Sequence, residues 1–142
     1  MSTRDLYQAL IVEHDRHPRN ERPLPAATHE ATIDNPMCGD VVTVRMIIDG
    51  DVVRDVAFEA KGCALSRAAA SLMTERVRGA RVDTVRPLAA QIEALVRADP
   101  EAPIASDLGD LGALAGVRRF KSRRSCATLP FQALIASLGQ CT

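Results

Sequence analysis

Three thiols and one carboxylate, Cys38, Asp40, Cys63 and Cys126, are the side chains of this sequence best suited to chemistry. In Cys38-Gly39-Asp40 a thiol and a carboxylate flank a glycine, a loop that can aim two anionic ligands at one cation. Cys63 follows Gly62 at the predicted start of a helix, and Cys126 follows a basic run at the predicted start of another. The positive end of a helix macrodipole favours the thiolate form at both places. Zinc takes such ligands tetrahedrally, and three thiolates with one carboxylate complete a set of four. Spacing alone leaves two readings open, one shared site or three unrelated cysteines, because buried cysteine often serves as a small apolar residue. Cys141 reads as incidental.

A shared site needs three separate segments to meet. The stretch 27–33 alternates Ala27, His29, Ala31 and Ile33 against polar neighbours, the period of a half-buried strand leading into the loop 35–40. Val42, Val44, Met46 and Ile48 line one face of a second strand. Asp49-Gly50 marks a hairpin, and 52–60 returns with Val56, Phe58 and Ala60 on that face. The start of strand two and the end of strand three are then neighbours, which brings Asp40 near Cys63. From Cys63 the pattern turns helical, with Leu65, Ala68, Ala69, Leu72 and Arg76 on one stripe and Gly79 as the end signal.

Helices are also predicted from Thr3 to about His17, from Asp83 or Thr84 with Leu88, Ile92, Leu95 and Val96 inward, and from near Cys126 to Gly139. Pro87 and Pro130 are placed in or near first turns, where proline is tolerated. His14 and His17 are candidate ligands by type but read better as surface or helix-end residues, and 19–25 as a linker or surface loop. The glycines of 107–116 lack the Lys-Ser/Thr ending of a phosphate-binding loop, so a short helix with flexible ends is expected there. The fold expected is α+β: a small three-stranded antiparallel sheet covered on one face by helices, with flanking N- and C-terminal helices, residues 1–142 forming one domain.

Composition narrows the function classes. The 142 residues hold 18 basic and 18 acidic side chains, three Phe, one Tyr and no Trp. Net neutrality and few stacking aromatics argue against nucleic acid. No charged start with an apolar h-region opens the chain and no apolar run has membrane-spanning length, so a cytoplasmic protein with no membrane partner is expected. In that setting cysteines favour metal or redox chemistry over disulfides.

Several motifs together carry a family resemblance over nearly the whole chain: Leu6-Tyr7, His17-Pro18-Arg19-Asn20, Asn35-Pro36-Met37-Cys38-Gly39-Asp40, Gly62-Cys63-Ala64-Leu65-Ser66 and Cys126-Ala127-Thr128-Leu129. The chain resembles the NifU amino-terminal, IscU and SufU proteins of iron-sulfur cluster assembly. The resemblance implies a SufE/NifU-like fold in which Cys38, Asp40, Cys63 and Cys126 form one metal site, with Cys38 as persulfide acceptor. Ser125, where the IscU branch carries histidine, and the long spacer between Cys63 and Cys126 point to the SufU branch. That branch implies zinc, a SufS-like cysteine desulfurase as sulfur donor, and a downstream cluster-assembly scaffold complex as recipient. Ser125 and Pro130 depart from the usual SufU pattern.

The leading expectation is a zinc-dependent sulfurtransferase, and its alternative is a scaffold for assembly and transfer of a [2Fe-2S] cluster on the same thiols. A structural zinc module is a third class, disfavoured because such sites are usually closed by Cys and His alone. A cysteine hydrolase is a fourth, disfavoured because no histidine falls in the three segments. The run Arg118, Arg119, Lys121, Arg123 and Arg124 is either a solvated face or a docking surface for an acidic patch on the desulfurase.

Overall fold

The computed structural model describes residues 3–37 and 39–139. In chain order these form α1 (Thr3–Arg16), β1 (His29–Asn35), β2 (Asp40–Asp49), β3 (Val52–Lys61), α2 (Ala64–Val77), α3 (Val85–Arg97), a 3-10 segment (Ser106–Arg119) and α4 (Arg124–Leu138). The sheet is antiparallel in the order β1-β2-β3, the expected α+β arrangement.

Alternation explains the register. Val42, Val44 and Met46 stand opposite Ala60, Phe58 and Val56, and all six are buried. Ala31 and Ile33 extend the same face from β1, opposite Val44 and Val42. Pairing of Asp49 with Val52 closes the hairpin through Gly50, whose φ of 60° suits glycine. This apolar face is covered by α2 over β3 and by α4 over β1 and β2. Phe58 and Phe131 sit fully inside, each burial contributing roughly 1.5–3 kcal/mol.

The proline-punctuated residues after α1 do more than connect. Asn20 O accepts from Phe58 N–H at 3.0 Å and Arg22 N–H donates to Phe58 O at 3.2 Å, so this segment satisfies part of the outer edge of β3. The 3-10 segment packs against α1, α2 and α3, with Leu108, Leu111 and Leu114 buried. Its break at Gly109 (φ 54°, ψ −129°) divides the helical turns expected there. Thr84 holds the N-cap position of α3 and Pro87 falls in the first turn, as expected, although the Thr84 hydroxyl donates to Arg81 O rather than capping the helix. Pro130, by contrast, lies inside α4 beyond its first turn, because α4 starts at Arg124.

Candidate metal centre

The hairpin builds two sides of the centre. Asp40 opens β2, and the pairing of Val41 with Lys61 puts it beside the chain that leaves β3. Gly62 follows with a φ of +129°, and Cys63 is the N-cap of α2. Asp40 Oδ1 accepts from the Cys63 N–H at 2.8 Å. Its Oδ2 accepts from the Ser66 hydroxyl at 2.6 Å and from the Cys63 thiol at 3.2 Å. The carboxylate is buried, yet both oxygens are hydrogen-bonded and the N-terminus of α2 adds favourable potential, which offsets its desolvation.

The third side comes from α4. Cys126 lies in its first turn and is buried, while Cys63 is half-exposed, so the centre opens to solvent at Cys63. Pro130 has no N–H to give the carbonyl four residues before it, which is that of Cys126. Ser66 Oγ stands 3.2 Å from this carbonyl and 3.6 Å from Cys63 Sγ, at the junction of all three segments.

One ligand atom each from Asp40, Cys63 and Cys126 lie within 4.8 Å of one another, and this is the one such group of three or more among the described residues. Tetrahedral zinc with ligands at about 2.0–2.3 Å has them roughly 3.3–3.8 Å apart, a closure within reach of side-chain rotation. Two thiols and a carboxylate with no imidazole fit zinc or an iron-sulfur group and leave a position for one more ligand.

Cys38, expected as the fourth ligand and the acceptor, lies outside the described residues, as does Cys141. The residues flanking Cys38 are held firmly. Asn35 accepts from Met37 N–H through Oδ1 at 3.1 Å and from Gly39 N–H through its carbonyl at 2.8 Å. Its Nδ2 donates to Ser125 Oγ at 2.8 Å, which ties the loop 35–40 to the start of α4.

Three expectations need correction. His14 lies in the last turn of α1, as expected of a helix-end residue, but is buried rather than on the surface, with Nδ1 2.7 Å from Ser71 Oγ, because α1 packs on α2 along that face. Arg118 is also buried and donates to Leu95 O at 2.8 Å and Ala102 O at 2.7 Å, so it ties the 3-10 segment to the end of α3. Arg124 donates to Arg118 O, which leaves Arg119, Lys121 and Arg123 as the exposed part of the basic run. The third is the place of Pro130, described above. Ser66 is a site residue that the spacing of thiols and carboxylates does not single out; its one signal is a hydroxyl three residues after Cys63, on the same side of α2.

The profile of the NifU-like N terminal domain matches residues 6–127. The chain is 37% identical over 129 residues to the zinc-dependent sulfurtransferase SufU of Bacillus subtilis, covering 91% of this chain and 86% of that protein. It is 34% identical over 129 residues to the iron-sulfur cluster assembly scaffold protein IscU of Streptococcus pyogenes, covering 91% and 80%. The crystal structure of a nitrogen-fixing NifU-like protein (N-terminal) from Brucella abortus superposes with a TM-score of 0.84 at 29% identity, covering 96% of this chain and 94% of the other. Among the described residues no helix is long and apolar enough to cross a membrane.

Proposed function

The chain belongs to the NifU-like N terminal domain family, and from that premise we propose that it serves iron-sulfur cluster assembly as a zinc-dependent sulfur acceptor and carrier. The convergence of Asp40, Cys63 and Cys126 is the observation that carries this reading. These three residues, with Cys38 as the fourth, would hold the zinc. When bound, zinc keeps its thiol ligands deprotonated at neutral pH.

Cys38 is the acceptor in this proposal. Its thiolate attacks the outer sulfur of a cysteine persulfide on a desulfurase; the donor sulfur–sulfur bond breaks, a new one forms on Cys38, and the donor cysteine leaves as thiolate. Asp40, Cys63 and Cys126 keep the site assembled meanwhile. Met37 is exposed and Cys63 partly exposed, which supports a site that a partner can reach. Of the exposed Arg119, Lys121 and Arg123 that precede Cys126, Arg119 already pairs with Glu101, and Lys121 and Arg123 suit an acidic docking surface on that desulfurase. The downstream recipient is a cluster-assembly scaffold complex.

Assembly of a [2Fe-2S] cluster on the same thiols is the second reading, supported by the likeness to the streptococcal scaffold protein. Ser125 weighs against it, since its hydroxyl is engaged with Asn35 and no imidazole joins the described ligand group. Anaerobic purification with metal analysis separates the two. Zinc in a colourless protein that gains a persulfide from desulfurase and cysteine supports the carrier, and a brown protein with iron and sulfide supports the scaffold. Cys38→Ala is expected to abolish persulfide loading; normal loading would refute the acceptor assignment.

A further inference from the structure

Ser66 lies fully buried in the first turn of α2, and its hydroxyl stands within reach of the Asp40 carboxylate, the Cys63 thiol and the Cys126 carbonyl. A hydroxyl carries one proton to donate. The charged acceptor at 2.6 Å outcompetes the neutral carbonyl at 3.2 Å, so the proton goes to Asp40 Oδ2. The other carboxylate oxygen is already held by the Cys63 backbone. With both oxygens tied, the carboxylate plane cannot rotate freely. Oδ2 is thereby kept 3.2 Å from Cys63 Sγ, a spacing suited to two ligands of one tetrahedral ion.

We propose that Ser66 is the positioning residue for Asp40 in metal binding: its hydroxyl fixes the Asp40 carboxylate so that it presents a single oxygen toward Cys63 and Cys126. This rests on the ligand set proposed above. Ser66 does not itself coordinate. It donates to an oxygen that does, and hydrogen-bonded partners of this kind typically change metal affinity about 10- to 100-fold when removed.

The test is zinc affinity by competition with a chromophoric chelator, with cobalt(II) absorption as a report on ligand geometry and circular dichroism as a check of fold. Ser66→Ala is expected to weaken zinc binding about 10- to 100-fold and to alter the cobalt bands. Ser66→Thr, which keeps the hydroxyl, is expected to stay within about threefold of the parent protein; a loss equal to that of alanine in a folded protein overturns the proposal. In an Asp40→Ala background, Ser66→Ala is expected to add little. An equal loss in both backgrounds overturns the positioning role while leaving the ligand set intact, and an unchanged affinity in Ser66→Ala overturns it outright. If Asp40→Ala alone leaves zinc affinity unchanged, Asp40 leaves the ligand set and this proposal falls with it. Persulfide loading enters none of these measurements, so the carrier reading stands or falls separately.

Discussion

An alanine at position 62 would set its Cβ onto Asp40 Oδ1 and 2.8 Å from the Asp40 Cα. The carboxylate could swing away, but the backbone atom belongs to β2 and cannot. Gly62 also has a φ of +129°, where residues with a side chain are strained. That strain costs about 1–3 kcal/mol. Displacing Asp40 forfeits its charged hydrogen bond from Cys63, about 1.5–3 kcal/mol more. Gly62→Ala should therefore lose roughly 3–6 kcal/mol, a large part of the ~5–15 kcal/mol that holds a domain folded.

Gly50 supplies the control. Its φ is also positive, at +60°, but nothing lies within 4 Å of an added Cβ, so only the backbone penalty of about 1 kcal/mol applies. Urea unfolding of the two metal-free variants at neutral pH compares them directly. With a slope of about 1.5–2 kcal/mol per molar, the Gly62→Ala midpoint should fall roughly 1 M or more below that of Gly50→Ala. Equal midpoints would refute the claim that the approach of Asp40 is what requires glycine at 62. In an Asp40→Ala background the hydrogen-bond share of the penalty should vanish and the backbone share remain.

Arg118→Ala should destabilise the fold by about 2–4 kcal/mol, because the Leu95 and Ala102 carbonyls lose a charged donor, whereas exposed Arg123→Ala should stay within about 0.5 kcal/mol. Equal urea midpoints for the two variants would show that Arg118 is not the tie described. Burial, followed by the nearby charge of Arg19, lowers the pKa of His14 below its ordinary 6.5, against weaker upward pulls from Glu75, Asp110 and Glu13. The unfolded chain therefore takes up this proton first as pH falls. The stability that His14 contributes is complete above the unfolded value and is lost between that value and the lower folded one. Unfolding midpoints measured from pH 7.5 down to about 5 should decline more in the parent protein than in His14→Asn, and parallel profiles would contradict this.

Local pattern was enough for the elements. Alternation in β2 and β3, the Asp49-Gly50 turn and the helical stripe after Cys63 each depend on neighbours a few residues away, and period alone decides which face turns inward. The hairpin even carries Asp40 to Cys63, because pairing partners follow from the turn. Beyond that, spacing and periodicity are silent, and only the family resemblance implies that Cys126 joins the site. Ser66 meets the Cys126 carbonyl across 60 residues, and Asn35 meets Ser125 across 90, only because α4 lies over the sheet and against α2.

Packing of α1 on α2 turned His14 inward, and packing of the 3-10 segment on α3 buried Arg118 and split the basic run, since a charged or imidazole side chain looks alike in sequence whether it faces water or a buried polar group. Pro130 is the sharpest case. As a residue it signals a helix start, yet α4 runs through it, and its missing N–H leaves the carbonyl of Cys126 facing Ser66. Residue types determined that thiols and a carboxylate were present to bind a metal. Tertiary packing decided that Asp40, Cys63 and Cys126 converge, and that a buried serine holds the carboxylate among them.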